Sequence, residues 1–139
     1  MSDNAATAQS LYEAWEKRDF DALVENMADG VVFNDATSGR VINGKADVRE
    51  FYASWATACP DSVCGATVIV ASDDAVAIEG VWEGTNTGAF GPLPATGRSV
   101  SMPWANVLRF DADGRIIGGS AYANLLPVMV QLGHIEPPA

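Results

Sequence analysis

The stretch "VCGATVIVASDDAVAIEGVWEG", residues 63–84, decides the fold. It holds two runs in which apolar and β-branched residues recur every second position. The Asp73-Asp74 pair between them is a turn signal, so the stretch reads as a β-hairpin. Two further runs, "SVSMPWANVLRF" (99–110) and "RIIGGSAYAN" (115–124), keep the same period and flank "DADG" (111–114), where Asp113-Gly114 marks another tight turn. Four such strands in succession predict an antiparallel meander.

Upstream the period lengthens. Ala8, Leu11, Tyr12 and Trp15 recur at three- and four-residue spacing behind the polar Ser2-Asp3-Asn4 cluster, the pattern of a capped amphipathic helix. A second short helix is predicted from Asp19, with Phe20, Leu23, Val24 and Met27 apolar; "ADG" (28–30) breaks it and "VVFND" (31–35) reads as a short strand. "ATSGRVING" (36–44) reads as a loop. Helical spacing resumes over residues 45–57 through Val48, Phe51, Tyr52 and Trp55, and Pro60 stops it. Residues 125–132 close the chain as a short helix before Gly133. This order predicts one α+β domain over residues 1–139, with a curved sheet covering the long N-terminal helix.

Composition narrows the partners. Eight basic residues against eighteen acidic give a net charge of −10, which repels phosphate backbones and anionic membranes. No nucleic acid and no membrane are expected as partners. The first twenty residues lack a basic start followed by an apolar run, and no segment has the roughly 18 apolar residues of a membrane span, so a cytoplasmic location is expected. Cys59 and Cys64 in "CPDSVC" stand far from the single histidine, His134, and read as structural thiols; no metal and no cofactor are expected.

The order of elements, together with three local strings, resembles the SnoaL-like polyketide cyclases of the nuclear-transport-factor-2-like superfamily over nearly the whole chain. The first string is "WEGTNTGAFGPLPATGR" (82–98), which resembles the family's loop between the second and third meander strands, with Asn86 where histidine is common. The second is "NLLPVMVQLG" (124–133), which resembles the closing segment but begins with Asn124 in place of the cyclases' catalytic aspartate. The third, "FND" with a glycine and then "KADVREFY" downstream, resembles the surroundings of the general base in the ketosteroid isomerases of the same superfamily. The resemblance implies a cone-shaped domain with a mostly antiparallel sheet, a homodimer built on the outer sheet face or a higher homo-oligomer, and a small hydrophobic or aromatic carbonyl substrate. It places the base on Asp35 and a second polar group, an acid in the isomerases, on Asn106. Their oxyanion tyrosine falls on or beside Leu11, one position from Tyr12.

These residue types suit one chemistry. Taking a proton from the carbon beside a carbonyl needs a carboxylate in a partly apolar pocket and a donor where negative charge gathers on oxygen. Asp35 follows three apolar residues and one asparagine at a strand end, where it is either such a base or a loop aspartate bonding its own backbone. Asn106 shares an otherwise apolar strand face with Trp104, Leu108 and Phe110 and needs a partner, either a ligand oxygen or a backbone group. Asn124 keeps the shape of aspartate without its acid–base capacity, and is a pocket donor or a strand-end cap. Tyr12, Trp15, Phe33, Tyr52, Trp55, Trp82, Trp104 and Tyr122 are the candidate substrate-binding side chains, with Trp82 and Trp104 suited to stacking on rings and Trp15 to the core.

Three functions follow. The first is a cofactor-independent cyclase, isomerase or aldolase-type lyase with Asp35 as base and Asn106 and Asn124 as oxyanion donors. The second is an epoxide hydrolase using an Asp-Arg-Asp set that would include Asp35 and Arg98, although Arg98 is better placed for a structural ion pair. The third is a binding module without turnover. The glycines and prolines of residues 82–98 suggest a long, stiff connection, either at the rim of a pocket or as a purely structural β-connection.

Overall fold

The computed structural model describes residues 3–137. Along the chain run α1 (Asn4–Glu16), α2 (Phe20–Val24), β1 (Met27–Asp35), β2 (Arg40–Asn43), α3 (Gly44–Ala58), β3 (Ala66–Ala71), β4 (Ala75–Thr85), β5 (Ser99–Phe110), β6 (Ile116–Ala123) and α4 (Leu125–Gln131). The six strands form one curved, unclosed sheet in the order β2-β1-β6-β5-β4-β3. Every pairing is antiparallel except β1 with β6. The architecture is the α+β cone.

The meander forms as its period requires. Ser72 N–H closes the β3–β4 turn on the Ala75 carbonyl at 2.8 Å. The Asp111 carboxylate accepts from Asp113 and Arg115 N–H, both at 2.9 Å, around Gly114 at φ +81°. Inward residues of β4 and β5, Val76, Ile78, Trp82, Met102 and Leu108, are buried in the core. Gln131 ties α4 to β5, because its amide donates to the Ser101 carbonyl and accepts from the Ser101 N–H.

Three sequence expectations change here. The "ADG" segment lies inside β1 rather than ending a helix, and Met27 is the first residue of that strand, buried beneath the sheet. The reason is pairing: Met27 lies opposite Ile116, and the Ile116 N–H donates to Asn26, contacts invisible to local propensity. The supposed loop at 36–44 contains β2, which is short because only β1 pairs with it. The cap expected from Ser2-Asp3-Asn4 is not made by Asp3, whose side chain accepts no cap hydrogen bond; Ser2 lies outside the described residues. Among the described residues no helix is long and apolar enough to cross a membrane.

The parallel β1–β6 pairing matters most for function. Asp35 sits opposite Ala121 on β6, and Ala121 sits opposite Asn106 on β5. Directly paired residues point to the same side of a sheet, so Asp35, Ala121 and Asn106 share the inner face in one row. Two strand spacings separate the carboxylate strand from the amide strand, about 10 Å. Only the methyl group of Ala121 lies between them.

Candidate functional site

The inner row opens into a cavity lined by Tyr12, Trp15, Asp35, Thr37, Phe51, Tyr52, Trp55, Cys64, Trp82, Met102, Trp104, Asn106, Ala121, Tyr122 and Ala123. The space open to the centres of water molecules is about 60 Å³. At roughly 10–15 Å³ per water position, this is room for a small, flat molecule. Asp35 is the only carboxylate among the lining residues, and no cluster of His, Cys, Asp or Glu among the described residues is placed to hold a metal ion.

Asp35 is 5% exposed. One carboxylate oxygen accepts the Thr37 N–H at 3.1 Å and the other the Ser38 hydroxyl at 2.5 Å, an arrangement that fixes the group at the end of β1. An ionised carboxylate offers about four acceptor positions, so two remain for a substrate proton. The turn reading and the base reading of Asp35 are therefore compatible. Thr37 adds to the frame by accepting the Ala123 N–H through its hydroxyl at 3.0 Å.

Across the row the Asn106 amide, also buried, donates to the Tyr12 hydroxyl at 2.7 Å. A phenol oxygen that accepts this bond keeps its own proton to donate, and the incoming bond polarises it. Tyr12, on α1, thus belongs to the same polar unit as Asn106, although the isomerase-like register pointed beside it. The Tyr52 hydroxyl approaches both and has no hydrogen-bond partner of good geometry. Burial pushes the Tyr12 phenol well above the ordinary tyrosine range, with Tyr52 adding to the shift and the Asn106 bond opposing it. Burial likewise pushes Tyr52 up to about 12, opposed by the closeness of its hydroxyl to the polar groups of Tyr12 and Asn106. Both phenols stay protonated and able to donate at neutral pH.

The walls are aromatic. Tyr12 stacks on Trp104 at 5.0 Å, Phe51 meets Tyr52 and Trp55 edge-on, and Trp55 meets Trp82 edge-on at 5.1 Å. The Trp15 indole donates to the Tyr52 carbonyl at 2.9 Å, and the Trp104 indole to the Cys64 carbonyl at 2.8 Å, so each ring is fixed. Tyr122, about half exposed, stands on the solvent side. A second cleft, of about 400 Å³ between α1 and β3, shares Tyr12 and Cys64 with the cavity wall.

Several expectations are relocated. Asn124 is exposed and outside the lining; its carboxamide oxygen accepts the Leu126 N–H at 3.0 Å and caps α4, so it is spent on the helix rather than the cavity. Phe33 lies behind the wall, edge-on to Tyr52 and against Gly119, where any side chain would strike its ring. Arg98 is exposed, is in no ion pair among the described residues, and packs against Gly133, so the Asp-Arg-Asp set is not assembled. Of the 82–98 stretch only Trp82, at its start on β4, is among the described lining residues; Phe90 packs against Trp55 and Trp82. The residues that sequence reasoning missed are Thr37, Phe51, Cys64, Met102, Ala121 and Ala123. Met102 was within reach, since it alternates with Trp104 and Asn106, whereas Ala121 needed the strand order.

Cys64 is more than a bystander in position. Its thiol and its N–H both reach the Glu16 carboxylate, at 2.8 and 2.7 Å. Burial first, then the Glu16 bond and charge, push the thiol up to about 12, and burial with Asp61 pushes Cys59 to about 11. The ordinary values are 9.0 for the thiols and 10.0 for Tyr52. The folded chain therefore holds these protons more tightly than the unfolded one. This stability is complete below pH 9 and is lost as pH rises toward 12. Thermal unfolding should give a Tm that changes little between about pH 7 and pH 9 and falls steadily above that range, and a Tyr52→Phe, Cys64→Ala double variant should lessen that fall.

The family model of the SnoaL-like polyketide cyclases matches residues 5–132, and the chain belongs to that family. Among solved structures it is similar to AclR, a candidate hydroxylase from Streptomyces galilaeus, with 23% identity, 99% of this chain and 85% of that one covered, and a TM-score of 0.85. It is similar to a candidate SnoaL-like polyketide cyclase from Jannaschia sp. CCS1, with 22% identity, coverage of 97% and 93%, and a TM-score of 0.84. It is also similar to IdmH, a candidate polyketide cyclase from Streptomyces antibioticus, with 26% identity, coverage of 94% and 98%, and a TM-score of 0.79. No curated protein matches the sequence.

Proposed function

We propose that the protein is a cofactor-independent enzyme that enolises a small hydrophobic or aromatic carbonyl compound, leading to aldol-type cyclisation, its reverse, or double-bond isomerisation. Asp35 takes the proton from the carbon beside the carbonyl. The Tyr12–Asn106 unit, with Tyr52 beside it, stabilises the charge that gathers on oxygen. The observation that carries this reading is the row Asp35, Ala121, Asn106: one carboxylate and one donor unit face each other across an alanine in an aromatic cavity. The membership in a cyclase family supports a cyclase- or isomerase-type activity. A cytoplasmic homodimer or higher homo-oligomer belongs to the same proposal, with Val68 and Val70, exposed on the edge strand β3, in its contact surface.

A fluorinated phenolate that is ionised at neutral pH tests the oxyanion part, because its oxygen carries the charge an enolate would. Wild type should bind it at least tenfold tighter than the matching fluorinated toluene, and Asn106→Leu should remove most of that preference. Equal binding of the two compounds by wild type would contradict the reading.

A further inference from the structure

Glu16 is an exposed residue of α1 whose carboxylate turns to the chain rather than to water. Its Oε1 accepts both the Cys64 thiol, at 2.8 Å, and the Cys64 N–H, at 2.7 Å. Cys64 lies outside the named strands, and its N–H takes this carboxylate as partner in place of a sheet bond. An ionised acceptor binds such donors more strongly than a neutral one. Because Glu16 stands in the second cleft, open to solvent, its charge escapes the cost of full burial.

From Cys64 the contacts run into the cavity wall. Its carbonyl accepts the Trp104 indole N–H at 2.8 Å, and the Trp104 ring stacks on Tyr12 with centroids 5.0 Å apart. Tyr12 precedes Glu16 by one turn on the same face of α1, and both line the second cleft. A ring of contacts therefore closes from Tyr12 through Trp104, Cys64 and Glu16 back to α1. The Tyr12 hydroxyl accepts the Asn106 amide at 2.7 Å, and Asn106 follows Trp104 on the same face of β5. Stacking alone lets one ring slide over another, whereas an oxyanion donor must stay within about 0.5 Å of its working position. The indole bond to Cys64 removes that freedom from Trp104.

We propose that Glu16 is a positioning residue for the oxyanion donor: by holding Cys64 it fixes Trp104, and Trp104 sets the Tyr12 hydroxyl against Asn106. The catalytic purpose of this link rests on the reading of Tyr12 and Asn106 as the oxyanion unit. Glu16 is not among the described residues that line the cavity, so its effect reaches a bound molecule through this ring of contacts.

Glu16→Ala should weaken binding of the fluorinated phenolate about fivefold, while binding of the matching fluorinated toluene changes by less than about twofold. Glu16→Gln, whose amide oxygen still accepts from Cys64, should return the phenolate affinity to within about twofold of wild type. In the ligand-free protein the Asn106 side-chain amide proton that bonds Tyr12 should move upfield in Glu16→Ala and return in Glu16→Gln. Trp104→Phe keeps a ring over Tyr12 without the indole donor; it should repeat the Glu16→Ala effects, and adding Glu16→Ala to it should change phenolate binding no further. An Asn106 resonance unmoved by Glu16→Ala, equal losses for the two ligands, or additive effects of Glu16→Ala and Trp104→Phe would overturn the inference. Wild type that binds phenolate and toluene equally, with an Asn106 resonance that follows Glu16, sinks the oxyanion reading and upholds the positional link. A phenolate preference that survives Glu16→Ala with Asn106 unmoved does the reverse.

Discussion

Asp35→Asn should lower the rate of alpha-proton exchange by about a thousandfold, within the range expected of a lost general base, while ligand affinity changes by less than about threefold. The amide keeps the shape of the carboxylate and an oxygen to accept the Thr37 N–H or the Ser38 hydroxyl, so the end of β1 should stay in place. What disappears is the only carboxylate among the described residues that line the cavity. A base is needed only as the proton leaves carbon, so the loss should fall on kcat rather than on KM. Kinetics of exchange for both proteins, with ligand binding measured alongside, would check this. A variant retaining a tenth or more of the activity would remove Asp35 from the base role.

The largest expected loss of stability comes from Asn86→Ala. This asparagine is fully buried and holds the 86–98 connection from within. Its amide donates to the Ala58 and Gly88 carbonyls, each at 3.0 Å, and its oxygen accepts from the Thr96 N–H and hydroxyl, each at 2.9 Å. Its backbone also bonds Arg98, Thr96 and Gly97. Removing the carboxamide would strand several buried groups at about 1–3 kcal/mol each, partly relieved by water, so a net loss of about 3 kcal/mol is expected. For a chain of this size that lowers Tm by roughly 10 °C. Gly88→Ala should act in the same direction, because an added Cβ would fall on the Thr57 carbonyl oxygen. Because Phe90 rides on this connection and packs on Trp55 and Trp82, the loss should also loosen the aromatic end of the cavity. Thermal unfolding followed by circular dichroism checks the first effect, and a fall in Tm of under about 3 °C would count against the central role of Asn86.

The meander, the three longer helices and the inward parity of Trp104 and Asn106 were legible because local periodicity dictates them. Strand β2 was not: four residues with one partner leave too weak a pattern, and only the neighbouring strand stabilises them. The site was half legible. Asp35 and Asn106 stood out as polar groups on apolar faces, but their meeting depends on β6 running parallel to β1 between them, a long-range fact. Tyr12 came from the helix packed over the sheet, and its bond to Asn106 joins residues far apart in the chain. The resemblance pointed to Asn124 as a catalytic position, whereas here its side chain is occupied in starting α4. The glycine-rich connection looked like a rim because its composition suits one; its conformation is held by Asn86, whose burial no local pattern announces.

Proton NMR of an acetylnaphthalene in D₂O with wild-type protein tests the central claim most directly. The account predicts catalysed loss of the acetyl proton signal, saturable in ligand and suppressed by the fluorinated phenolate that occupies the same cavity. Binding of the acetylnaphthalene in that cavity with no exchange above the buffer rate would contradict it.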